Sequence, residues 1–138
     1  MKLYIFLIIF VTITSFVGCK NDTVQQKEPT QDDEWAVLRK QRENIIFVAK
    51  SVGCVASTQC RFIGIGSKPC GGPEEYLIYS NAVDTVELFS LVSKYNMNED
   101  SFYQKWEIGS NCEVPPEPDS IRCIGDKCVG YWEGVPRE

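Results

Sequence analysis

The chain contains no histidine. That absence removes the commonest general base and the partner on which Cys-His and Ser-His-Asp nucleophiles depend. It also removes most zinc sites, leaving only all-cysteine or carboxylate ones. Nor is there a Cys-x-x-Cys pair. The closest spacings are Cys54 to Cys60 and Cys123 to Cys128, so a thioredoxin-like redox role has no motif behind it. The glycine-rich stretch GSKPCGG has no Gly-Lys-Ser/Thr at the spacing of a phosphate loop. Positive charge is scarce, with 14 Lys+Arg against 19 Asp+Glu and a net charge of −5. That balance argues against nucleic acid as a partner, which selects a basic face. Long apolar runs are missing too. The longest, from Leu3 to about Ile13, is too short for the roughly 20 residues of a membrane span.

What is present begins with an address. The opening MKLYIFLIIFVTITSFVGC places one lysine before an apolar core, then small and polar residues, then Gly18-Cys19. This is the three-part layout of a secretory signal peptide. Phe16-Val17-Gly18-Cys19 resembles the lipobox of bacterial lipoproteins, with phenylalanine where leucine is commoner. The resemblance implies cleavage before Cys19 and lipidation of that residue, with the membrane as a partner through its acyl chains. Lys20, rather than aspartate, follows the cysteine, which in Gram-negative sorting implies the outer membrane. Cleavage removes Lys2, so the net charge moves from −5 to −6. Residues 19–31 are polar and buy too little buried surface to fold; they read as a flexible tether. Residues 32–138 then form a single domain of about 100 residues.

Seven cysteines are present. With Cys19 lipidated, the remaining Cys54, Cys60, Cys70, Cys112, Cys123 and Cys128 make an even set, and in an exported domain that predicts three disulfides. Six cysteines allow 15 pairings. IRCIGDKCVG reads as a hairpin turning at Gly125-Asp126. Cys123 and Cys128 then face one another, and either bridge directly or reach Cys54 and Cys60. Cys70 with Cys112 is the expectation for the third pair.

Residues 32–52 carry Trp35, Leu38, Ile45 and Ala49 at helical steps, with Asp32, Asp33 and Glu34 at the positive end of the dipole and Gly53 as a stop. CRFIGIG and EYLIYS read as neighbouring strands joined by the turn SKPCGGP. A second helix starts at Asp84, with Glu87 completing a capping box. Val86, Phe89, Leu91, Val92 and Tyr95 are its expected buried side, and Gly109 its end. The order of elements predicts an α+β fold, two helices packed on a small antiparallel sheet and stapled by disulfides.

Cys70 therefore reads as a staple, and no catalytic residue, metal ligand or cofactor is assigned. Val114, Pro115, Pro116, Glu117 and Pro118 form a stiff, extended segment and a candidate binding loop, because its ordering cost is already met. Residues 54–128 also resemble small cysteine-rich bacterial exported proteins, a resemblance that transfers no functional residue. The expected function is a binding, inhibitory or structural module in the cell envelope, acting on a protein or small-molecule ligand. The alternative is a small envelope enzyme or thiol-redox protein, which requires an exchangeable cysteine pair or two carboxylates brought together by the fold.

Overall fold

A computed structural model describes residues 27–137. The expected signal peptide, the expected lipidation site Cys19 and most of the expected tether lie outside the described residues. Helix α1 spans Gln31–Ala49. Thr30 caps it reciprocally: the Asp33 N–H donates to the Thr30 hydroxyl at 3.3 Å, and the Thr30 N–H donates to the Asp33 carboxylate at 3.0 Å. Leu38, Ile45 and Ala49 form its buried stripe. The helix stops at Lys50, before Gly53. Gly53 serves a different purpose, because a Cβ there would stand 2.6 Å from the Asp126 carbonyl oxygen. The chain passes against the hairpin turn at that point, and the Cys54 N–H donates to the same carbonyl at 2.8 Å.

Strands β1 (Cys60–Ile65) and β2 (Glu75–Ser80) pair antiparallel, with Cys60 opposite Ser80 and Ile65 opposite Glu75. Between them the chain reverses through Gly71 and Gly72 at φ +90° and +88°, a region open to glycine at little cost. Helix α2 runs unbroken over Thr85–Lys105. Asp84 caps it by accepting the N–H groups of Val86 and Glu87 at 3.0 and 2.9 Å.

The buried stripe of α2 keeps Val92 and Tyr95 of the expected one, with Leu91 packed against it, and departs at two positions. Leu88, Val92, Tyr95, Glu99 and Phe102 face inward, whereas Val86 is 80% and Phe89 45% exposed. At about 100° per residue, Val86 sits roughly 200° around the helix from Leu88 and points away from the core. The two helices lie antiparallel. Glu34 accepts from Lys105 and from the Trp106 indole at one end, Gln41 accepts from Asn98 in the middle, and Trp35 stacks on Phe102 with centroids 5.4 Å apart.

Strands β3 (Ser120–Ile124) and β4 (Lys127–Trp132) form the expected hairpin, and Gly125 and Asp126 both have positive φ, as a two-residue hairpin turn requires. A short β5 (Val135–Arg137) adds a third strand beside β4. The α+β class holds, and the sheet is divided in two: β1-β2 and β3-β4-β5. The core lies between the helices and the first of these, centred on Leu88, Ile45 and Ile65.

Three disulfides close the domain: Cys54–Cys123, Cys60–Cys128 and Cys70–Cys112. Cys123 and Cys128 are directly opposed across the hairpin. They do not bridge one another; each reaches across to the segment before or at the start of β1. Bonded pairs of this kind belong to an oxidising, exported compartment. Among the described residues no helix is long and apolar enough to cross a membrane.

Candidate functional site

The division of the sheet leaves a groove. Strand β2 pairs with β1 along one edge, and among the described residues no strand pairs with its other edge. That free edge forms the floor. The C-terminal half of α1 supplies one wall through Arg42, Ile46, Ala49 and Lys50, continued by Val52 and Gly53. The opposite wall is Pro115, Pro116, Trp132 and Arg137, with Asp126, Lys127 and Cys128 at the hairpin tip. The groove encloses about 420 Å³, within the range of sites that take small ligands or a few peptide residues.

All six residues of β2, Glu75 through Ser80, line it. Side chains alternate between the two faces of a strand, so a contact with one face would involve alternate residues. Six in succession mean that the groove meets the strand edge-on. On one face of β2, Leu77 and Tyr79 join the helical core; on the other, Ile78 lies against Gly130, where a Cβ would stand 3.1 Å from its Cδ1.

The charge here runs against that of the whole chain. Arg42 and Glu75 neutralise one another at 2.5 Å. Lys50, Lys127 and Arg137 then face Asp126 alone. Arg137 lies over the Trp132 ring, 5.4 Å from its centroid, and the Trp132 indole N–H donates to the Pro116 carbonyl at 2.8 Å. Tyr76 donates to Glu117 at 3.5 Å. Burial, and then the Glu117 carboxylate, push its phenol above the ordinary range.

The candidate loop is placed unevenly. Pro115 and Pro116 line the groove, Val114 packs over Gly72, and Glu117 meets Tyr76; Pro118 is half-buried and outside the groove lining. Cys70 and Cys112 tie this segment to the turn before β2. Lys68 within that turn donates to the Glu113 carbonyl and pairs with Glu74 at 3.8 Å, so its charge is already engaged. The sulfurs of Cys54, Cys60 and Cys128 lie within 4.8 Å of one another because two disulfides are neighbours. Bonded sulfur offers no thiolate to a metal. Cys19 lies outside the described residues.

The fold also brings two carboxylates together away from the groove. Glu99 is 2% exposed, accepting the Tyr95 hydroxyl at 2.5 Å and the Ser67 N–H at 2.8 Å. Glu74 accepts from Tyr103 at 3.4 Å nearby. Burial pushes the Glu99 carboxyl up against the pull of its two hydrogen bonds; Glu74 raises it further and Arg42 draws it down. One Glu99 oxygen holds the start of the stapled turn through Ser67 and the other is taken by Tyr95 on the same helix, so both are engaged in structural contacts.

A carboxyl raised in the folded state contributes its full stability below its unfolded pKa, near 4.5, and loses it as pH rises through the folded value. Between about pH 4 and pH 7, the stability of Glu99→Gln relative to wild type should therefore improve, as read by urea titration. A difference that is constant with pH would contradict this placement of Glu99.

Comparison with family profiles, with curated proteins and with solved structures finds no match. The site therefore rests on its own geometry. Sequence reasoning found Pro115 and Pro116 and missed Lys50, Lys127 and Arg137. The continuous apolarity of Tyr76-Leu77-Ile78-Tyr79 was the available signal for β2, since it predicts a strand covered on both faces.

Proposed function

We propose that this protein is a lipid-anchored binding module of the bacterial cell envelope, held at the outer membrane through Cys19, and that its ligand occupies the groove along β2. The observation that carries the reading is an open cleft with an apolar body, a surplus of positive charge and a floor of unpaired strand edge. A groove walled by two secondary-structure layers and two staples is pre-organised, so little ordering is required on binding. The Pro116 carbonyl on Trp132 and the Glu117 carboxylate on Tyr76 hold the proline segment beside the groove, where Pro115 and Pro116 form part of its wall.

The test is a photo-reactive phenylalanine analogue placed at Val52 in cells that make the protein, with the same analogue at Val55 as control. Val52 is exposed and lines the groove; Val55 is 91% exposed and outside it. An adduct should form from Val52 alone and be lost in Lys50→Glu/Lys127→Glu. No adduct from Val52, or equal yield from both positions, would contradict the proposal.

A further inference from the structure

We infer that the ligand is an extended peptide segment carrying one or two carboxylates, which adds to the free edge of β2 as a further strand. This rests on the groove being the binding site, and it specifies what the groove takes. The Asn81 N–H donates to the Gln59 carbonyl at 2.8 Å. With Cys60 opposite Ser80 and Phe62 opposite Ile78, alternation along an antiparallel ladder then fixes the rest. Glu75, Leu77 and Tyr79 turn their N–H and C=O groups toward β1. Tyr76, Ile78 and Ser80 turn theirs toward the groove.

The Ser80 carbonyl is taken internally by Val83. For the N–H and C=O groups of Tyr76 and Ile78, no partner in a turn, a cap or a side chain occurs among the described residues. Exposed backbone groups at a strand edge are a template for another strand, and a peptide that pairs with them gains main-chain hydrogen bonds whatever its sequence.

Selectivity comes from the walls. Ile46 and Trp132 offer apolar contact on either side, where the alternating side chains of an added strand point. Lys50 and Lys127, at the end of the groove by the hairpin tip, favour an acidic side chain or a terminal carboxylate there. A fatty acid or other small anionic amphiphile would satisfy the charge and the apolar walls. It would leave the backbone groups of Tyr76 and Ile78 unpaired, so the edge favours a peptide.

The test uses the mature protein in detergent micelles and a phage-displayed library of random decapeptides, with decanoate as the amphiphile probe. Enriched peptides should carry Asp or Glu within an alternating apolar pattern. They should slow hydrogen exchange at the Tyr76 and Ile78 amides and bind at least about tenfold more weakly to Lys50→Glu/Lys127→Glu. Ile78→Pro removes one outward N–H without removing a bond to β1 and should weaken binding by a similar factor. N-methylation of alternate peptide amides tests the same bonds without altering the protein.

Peptides that bind without protecting Tyr76 and Ile78, or that tolerate N-methylation in both registers, overturn the inference. So does failure of the library to enrich on wild type over the charge-reversed protein. Decanoate binding in the groove without peptide binding overturns it and leaves the groove as the binding site. Absence of a Val52 adduct in the otherwise wild-type protein, or an equal yield at Val55, is what removes the groove itself.

Discussion

Removing both Cys54–Cys123 and Cys60–Cys128 should unfold the domain at about 37 °C, whereas removing either alone should leave it folded. The two bridges span nearly the same stretch of chain, with sequence separations of 69 and 68. Once one is formed, the other closes only the small ring that runs from residue 54 to 60 and from 123 to 128. On the chain-entropy estimate a ring of about 12 residues is worth about 3 kcal/mol, and the ring of about 28 residues left between this pair and the intact Cys70–Cys112 bridge between about 3 and 4. Loss of one bridge thus costs about 3 kcal/mol, and loss of both about 6. A domain of this size has about 5–15 kcal/mol in total, and this one has a modest core. Alanine pairs at Cys54/Cys123, at Cys60/Cys128 and at all four positions, followed by circular dichroism on heating, measure the difference. A folded quadruple variant, or an unfolded single-bridge variant, would contradict this account of the staples.

Gly66→Ala should cost about 3 kcal/mol, and Gly71→Ala about 1. Both glycines have φ near +90°, so each substitution carries backbone strain. They differ in surroundings. A Cβ at Gly66 would stand 2.6 Å from the Glu74 Cβ and 2.9 Å from a Glu99 carboxylate oxygen, whereas at Gly71 nothing lies within 4 Å. Gly66 also donates its N–H to Asn96 at 2.8 Å, so displacement there breaks the junction between β1 and α2. Urea titrations of the two variants compare strain alone with strain plus collision. Equal costs would mean that the Glu99 buttress gives way freely.

Much of the fold was legible in the sequence. The two helices with the Asp84 cap, the β1-β2 pair and the Gly125-Asp126 turn follow from local signals; the pairing of Cys70 with Cys112, 42 residues apart, matches the expectation although no local pattern fixes it. The alternative at Cys123 and Cys128 is left open by the sequence, and the structure resolves it toward Cys54 and Cys60. Two features did not follow. On α2, Val92 and Tyr95 are buried as expected and Leu91 packs against the core, whereas Val86 and Phe89 are apolar yet exposed, and composition alone does not distinguish an exposed valine from Leu88. The groove depends on β2 and β4 approaching without pairing. That is a property of how the two sheets meet, and no residue pattern along either strand records it. Lys127 and Arg137 sit on the paired strands β4 and β5, and Lys50, far from both in sequence, joins them only through that approach.

The rival reading, a thiol-redox protein or small enzyme, requires reactive sulfur or a carboxylate pair open to a substrate. Glu74 and Glu99 do meet, but Glu99 is enclosed and both its oxygens are engaged. Sulfur is the sharper discriminator. The deciding measurement is intact mass of the protein taken from its own membranes, with thiol alkylation before and after reduction. A binding module with structural staples predicts a mature N-terminus at Cys19 carrying acyl mass, no alkylation before reduction, and six alkylated cysteines after it. An N-terminus without acyl mass, or two thiols that react without reduction, would contradict the account and favour redox chemistry at the paired disulfides.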